Sequence, residues 1–335
     1  MRKRVKRREK GERQTSLRFA LRYHSGCHHC SRDNLPKMTN KLILNYLGDA
    51  VIYSSDLALI DCPNSWLNSD LIHFHFLRLQ NEPNLVVGSD DVKSGKEDAA
   101  DSRGEYSNID CLFLDPTVIS FIMHQLDESD EDEVSSLTSA WNLSPPNDAD
   151  ATQQNIKRIF LPINDEHQSS RMNYTPGQHA GGSHWSLLVI DIITTTSKNN
   201  ETKPKIQFYS FDSHHGYNIF AAKAVANKMY SLFQHHYSSL QKDDAITRVN
   251  VIECQALQQN NGYDCGVYTL GFAEALLRLS NDKSGSNNGL LDEKAIEAAF
   301  TSYMNDMGGQ IHFASNLRRR IGDDIRKLAD INSPN

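Results

Sequence analysis

Long hydrophobic runs are missing from this chain of 335 residues. The longest mainly apolar stretch, residues 187–193, carries Asp191 inside it, whereas a membrane span needs about 20 apolar residues. No membrane association is expected. Cysteine is scarce: Cys27, Cys30, Cys62, Cys111, Cys254 and Cys265 are too few and too scattered for a disulfide framework. Reduced thiols follow, with the cytoplasm and/or nucleus as the expected compartment. No apolar segment follows the basic start, so a secretory signal is not expected and the sequons at Asn142, Asn173 and Asn200 carry no weight. Basic residues are also sparse outside one end. Residues 1–37 hold 12 of the 35 Lys and Arg but 3 of the 42 Asp and Glu. The other 298 residues keep 23 basic against 39 acidic side chains, and such a body is not expected to bind nucleic acid, which needs clustered cations.

The basic residues present define the first segment. Residues 1–38 read as a basic disordered extension, because its like charges repel and little apolar surface compensates ordering. It suits a nuclear-import or acid-binding tail, or translation starting at Met38 instead. His24, Cys27, His28, His29 and Cys30 are dense in metal-ligand types, but no second ligand pair follows nearby. No metal and no cofactor are expected. Residues 39–332 read as one domain with flexible insertions near 89–106, 127–155 and 165–180, where Asp, Ser, Gly and Pro displace apolar residues.

Periodicity places the elements. Ser65 is predicted to cap a helix reaching about Gln80, and Asp115-Pro116 to open a second. Strand-like runs follow at 158–163, 185–192 and 206–211, then an amphipathic helix carrying Val225, Met229, Leu232 and Phe233. A strand is predicted over 248–253. Residues 266–279 are apolar nearly all round, which marks a central buried helix. Further helices cover 292–304 and 311–331. Helices flanking a strand cluster in this order indicate an α+β domain.

Four places carry candidate chemistry. Cys265 precedes the buried helix, where the positive end of the helix dipole and unpaired N–H groups favour thiolate and an oxyanion. A cysteine at a helix start is also an ordinary packing residue, but Gly262 and Gly266 on either side permit close approach of a substrate. His184 opens a strand and can project into a cleft. Asp212 ends the next strand, where it either orients His184 or serves a turn. Gln259 has an amide able to donate to an oxyanion, as have Gln255, Gln258 and Asn260.

With these residues on the page a family is recognisable. Gly182-Ser183-His184-Trp185-Ser186-Leu187, Tyr209-Ser210-Phe211-Asp212-Ser213 and Gln259-Asn260-Asn261-Gly262-Tyr263-Asp264-Cys265-Gly266 resemble, in order, the motifs of the Ulp/sentrin-specific proteases. Pro63-Asn64-Ser65-Trp66-Leu67-Asn68, Ile163-Asn164-Asp165 and Asp212-Ser213-His214 are similar to its deneddylase branch. Two features depart: Ser69 precedes Asp70 where the family has Asp directly, and the loop 165–180 is long. The resemblance implies that 39–332 is a Ulp-type domain of papain-like architecture, a mixed sheet flanked by helices with the nucleophile at the start of the central helix. It implies cleavage after the Gly-Gly terminus of a ubiquitin-like modifier, with Cys265 as nucleophile, His184 as base and acid, Asp212 orienting it and Gln259 on the oxyanion. Trp185, Trp66, Asn68 and Gly266 would contact the substrate, although a core position is the alternative for Trp66. The expected partners are the neddylation modifier and its conjugates such as cullins, acted on by a monomer. A SUMO-specific protease and a catalytically silent binding module are the alternatives.

Overall fold

The computed structural model describes residues 40–82, 109–143, 154–167, 184–196, 202–237, 240, 249–281 and 291–332. The extension 1–38 with its His/Cys cluster, and the insertion 89–106, lie outside these residues. In chain order the described elements are β1 (Leu42–Tyr46), β2 (Ala50–Tyr53), α1 (Ser54–Asp61), α2 (Ser69–Asn81), β3 (Ile109–Phe113), α3 (Pro116–His124) and α4 (Glu131–Ala140). There follow β4 (Gln154–Asn164), β5 (Trp185–Thr196), β6 (Thr202–Phe211), α5 (Ile219–His236), β7 (Val251–Glu253), α6 (Cys265–Asn281), α7 (Glu293–Asp306) and α8 (Phe313–Asn332).

Alternation along β4, β5 and β6 sends successive side chains to opposite faces. Phe160, Leu187, Val189, Tyr209 and Phe211 join a core with α2, α6, α7 and α8. Ile159, Leu161, Leu188, Ile190 and Phe208 join another core with α3, α4 and α5. The sheet between these layers has the order β3-β4-β5-β6-β7. β4, β5 and β6 pair antiparallel, while β3 and β7 lie parallel on the two edges. This is the mixed, helix-flanked sheet of the expected α+β class. Helix α6 is enclosed on nearly every side, as its composition implied; a Cβ on Gly271 would stand 2.3 Å from the Phe313 ring of α8.

The charge inside the longest apolar run has a partner. Asp191 of β5 lies opposite Arg158 of β4 and accepts two hydrogen bonds from its guanidinium at 2.7 and 2.8 Å, both groups fully buried. Buried charges persist only when paired in this way.

Three expectations are corrected. The stretch 127–155 was read as a flexible insertion because of its acids, yet it contains α4 and the start of β4. Asp130 caps α4 by accepting from Asp132 N and Glu133 N, and Glu131, Asp132 and Glu133 fill the first turn, where the helix dipole favours negative charge. Val134, Trp141 and Leu143 then pack into the second core. Likewise Ser65 does not cap α2. Asn68 does, its Oδ1 accepting from Leu71 N at 3.1 Å, and the apolar residues before it lie in an extended link from α1. The predicted strand at 248–253 shrinks to three residues, and β4, β5 and β6 outrun their predicted lengths.

Candidate active site

The start of β5 and the end of β6 are neighbours because the strands run antiparallel with Leu187 opposite Phe211. That register brings His184 and Asp212 to one edge of the sheet, His184 Nε2 lying 2.6 Å from Asp212 Oδ1. The carboxylate is held by backbone donors as well. Oδ1 accepts from His214 N at 2.9 Å and Oδ2 from Asn218 N at 2.9 Å. From the other face of the sheet α6 delivers Cys265. The Asp264 carbonyl accepts the first hydrogen bond of the helix, from Tyr268 N at 3.0 Å, so Cys265 is the first helical residue and its N–H belongs to the turn that has no partners within the helix.

The three groups are 6%, 7% and 1% exposed for His184, Asp212 and Cys265, a setting in which charges interact strongly. Burial disfavours a charged imidazole, but hydrogen bonds to Asp212 and to Cys265, together with their charges, outweigh it and lift His184 to about 9. With Nε2 taken by Asp212, Nδ1 is the nitrogen left for the thiol. Such an arrangement can hold a thiolate beside an imidazolium and deliver a proton to a departing amine. Cys111 and Cys254 have no histidine or aspartate hydrogen bond of this kind among the described residues. Burial pushes Cys111 up to about 11 and Cys254 up to about 12.

Hydrogen bonding distinguishes the candidate amides. Gln258 Nε2 donates to the carbonyls of Asp212 and Ala256, each at 3.0 Å, which spends both its N–H groups. Among the described residues Gln259 Nε2 donates once, to Asn261 O at 2.6 Å, while its Oε1 accepts from Ser213 Oγ at 2.7 Å. Its second amide hydrogen has no acceptor among the described residues. Gln255 and Asn260 are exposed.

The four expected substrate contacts separate. Trp185 bridges the cleft: its Nε1 donates to Leu67 O at 3.1 Å, and its Cδ1 lies 3.4 Å from where a Cβ on Gly266 would be. The same Cβ would approach Leu67 Cβ at 3.0 Å, so glycine is the residue that fits beside the nucleophile. Trp66 bridges in the opposite sense, its Nε1 donating to Gly262 O at 2.7 Å. It lies on the link before α2, half-buried, and so does not take the core position weighed for it. Asn68 is engaged within the protein: its Oδ1 caps α2 and its Nδ2 donates to buried Asp56 at 2.8 Å.

Residues that sequence reading left without a role complete the cluster. The Asn218 side chain donates to His184 O at 3.0 Å and to Ser186 Oγ at 3.1 Å, tying the start of α5 to the histidine. Asp165 Oδ1 accepts from His184 N at 3.2 Å. Tyr217 sets its ring edge-on to the imidazole at 5.0 Å. A polar Asn two residues after a Gly, just ahead of an amphipathic helix, was the available signal for Asn218; for Asp165 it was the stretch Ile163-Asn164-Asp165, which carried the resemblance without a role. Among the described residues no group of three or more His, Cys, Asp or Glu could hold a metal ion.

Comparison with known proteins returns the same chemistry. Residues 104–308 match the family described as "Ulp1 protease family, C-terminal catalytic domain". Sentrin-specific protease 8 of Homo sapiens is 29% identical over 235 residues, covering 70% of this chain and 81% of that protein. NEDD8-specific protease 1 of Schizosaccharomyces pombe is 30% identical over 127 residues, covering 37% of this chain and 22% of that protein. Among solved structures, a de-sumoylating protease aligns at 14% identity over 87% of this chain and 92% of that one, with a TM-score of 0.47.

Proposed function

The chain belongs to the Ulp1 protease family, and on that premise we propose that this cysteine peptidase of ubiquitin-like modifiers is a deneddylase. It cuts after the Gly-Gly terminus of NEDD8, freeing the modifier from conjugates and maturing its precursor. The observation that carries the catalytic part is the buried His184–Asp212 hydrogen bond of 2.6 Å, set beside a cysteine at a helix N-terminus. The choice of modifier rests on similarity to the sentrin-specific protease 8 and NEDD8-specific proteins. Cullin conjugates as substrates, a monomeric enzyme and residence in cytoplasm or nucleus belong to the same proposal.

In the proposed reaction His184 holds the Cys265 proton as imidazolium. The thiolate Sγ attacks the carbonyl carbon of the terminal glycine, forming the C–S bond as the carbonyl electrons move onto oxygen. The oxyanion meets the Cys265 N–H and the second N–H of Gln259. Collapse breaks the C–N bond, and the amine leaves with the proton from His184. Water then attacks the thioester, giving one proton to His184, and the thiolate departs with the modifier's carboxyl group released. Asp212 stabilises the imidazolium throughout. Trp66 and Trp185 enclose the tail, and glycines suit it because any Cβ would meet the walls.

The test is turnover of C-terminal fluorogenic conjugates of NEDD8, a SUMO-type modifier and ubiquitin. Preferential release from NEDD8 is expected. Preference for the SUMO conjugate would overturn the modifier assignment, and no turnover of any would leave a binding module.

A further inference from the structure

Trp66 and Trp185 each reach across the cleft, and a third link lies beneath them. Arg318 of α8 is 4% exposed, and its guanidinium touches both walls. Nε and Nη2 donate to Asp264 Oδ1 at 2.9 and 2.8 Å. Nη2 also donates to the carbonyl of Ser65 at 2.5 Å, and Nη1 to that of Leu59 at 3.2 Å. The Asp264 Oδ2 accepts from Asn261 Nδ2 at 2.8 Å, while Asn261 Oδ1 accepts from the backbone N–H groups of Tyr263 and Asp264 at 3.1 and 3.0 Å. The loop ending at Cys265 is therefore a closed hydrogen-bonded turn hung on one guanidinium. The same guanidinium holds the carbonyl immediately before Trp66.

We propose that Arg318 is a positioning residue that sets the spacing between these two walls, and through it the preference for glycine at the penultimate position of the modifier's tail. The inference rests on the proposed function above. One wall is residues 65–67 and the other is residues 262–266. They stand so close that a Cβ built on Gly266 would lie 3.0 Å from Leu67 Cβ, and at such spacing a shift of a few tenths of an ångström decides whether a methyl group is admitted. The two tryptophan links are neutral hydrogen bonds at half-buried residues. The Arg318–Asp264 link is charged and buried, which makes it the strongest of the three. Arg318 acts only through Asp264 and Ser65, and it comes from 54 residues beyond the first and 253 beyond the second.

The experiment uses the full chain with Arg318→Lys, which keeps the charge but cannot span the same acceptors, and Asp264→Asn, which keeps size and loses the ion pair. Each is assayed on two NEDD8 C-terminal fluorogenic substrates, one with the Gly-Gly tail and one with the penultimate glycine changed to alanine. Wild type is measured first: failure to cut the Gly-Gly substrate would strike the proposed function, whereas cutting both equally would strike this inference alone. In both variants the Gly-Gly over Ala-Gly preference in kcat/KM is expected to fall about tenfold, since sub-ångström misplacement is costly in rate. Parallel losses on both substrates with the preference unchanged would make Arg318 merely structural and overturn the inference. Should Arg318→Lys lose its cooperative melt, Asp264→Asn decides the matter.

Discussion

Replacing Asp212 by Asn changes one charge at the centre of the proposed site while nearly preserving shape. His184 is lifted from 6.5 to about 9 by Asp212 and Cys265 against the opposing effect of burial. A lift of that size corresponds to roughly 3 kcal/mol in favour of imidazolium. The hydrogen bond to Asp212 is the largest of the causes that raise His184, so Asp212→Asn should bring the imidazole clearly below about 9. A fall of about one pH unit would cut the imidazolium fraction at pH of about 8.5 from about three-quarters to about one-quarter, a loss of roughly threefold from titration alone. A second cost is geometric. The carboxylate accepts from His184, His214 N and Asn218 N, and an amide nitrogen placed at either oxygen would oppose one of those donors. The combined loss in kcat/KM at pH of about 8.5 is expected to be on the order of 10- to 100-fold.

The assay is kcat/KM on the NEDD8 fluorogenic substrate from about pH 6 to about pH 10, a range that contains the proton loss from the free enzyme's imidazolium. Wild type should lose activity as pH rises through about 9, and Asp212→Asn should do so about one pH unit lower or more. Stability gives an independent reading with its own sign. A folded pKa above the unfolded value means that the contribution is present below 6.5 and is lost as pH rises through about 9. Wild-type melting temperature should therefore decline across that window, and the variant should decline less. An alkaline limb that stays at its wild-type position in Asp212→Asn would refute the assignment of the carboxylate to His184.

The remaining predictions are briefer. Iodoacetamide at mildly acidic pH should label Cys265 well ahead of Cys111 and Cys254, whose thiols are held at about 11 and about 12 by burial; equal labelling by peptide mapping would remove the case for an activated thiolate. Gln259→Ala should lower kcat by about 10²-fold with little change in KM, the pattern of a donor used only on the oxyanion. Its control, Gln258→Ala, has no free N–H to lose and should act mainly on stability. Gly266→Ala should be nearly inactive yet folded, because its Cβ would meet Leu67 at 3.0 Å and Trp185 at 3.4 Å; wild-type turnover by this variant would mean that the walls yield easily.

Legibility differed with the range of the interaction. The capping aspartate and proline of α3, the all-round apolar face of α6 and the alternation of β4 to β6 are local signals, and each corresponds to a described element. The acids of α4 misled because the same side chains suit a solvated loop and a first helical turn; only Trp141 and Leu143 packing against α5 and its surroundings distinguishes them. The link 62–68 misled in the other direction. Leu67 is buried in helical phase with α2, but Asn68 rather than Ser65 caps the helix.

By itself the sequence determined the chemical types and their order: a histidine at a strand mouth, an aspartate at the next strand end, a glutamine, and a cysteine opening a buried helix. Those depend on residues within a few positions of one another, where periodicity, turns and capping operate. Tertiary structure alone decided which acceptors the two glutamine amides meet, that Asn68 is tied to Asp56, and that Arg158 neutralises Asp191 across two strands. It alone brought Arg318 to Asp264 and Ser65, across separations of 54 and 253 residues. A hydrogen bond needs its atoms placed to a few tenths of an ångström, and over such separations only the packed fold, not any spacing in the chain, supplies that placement.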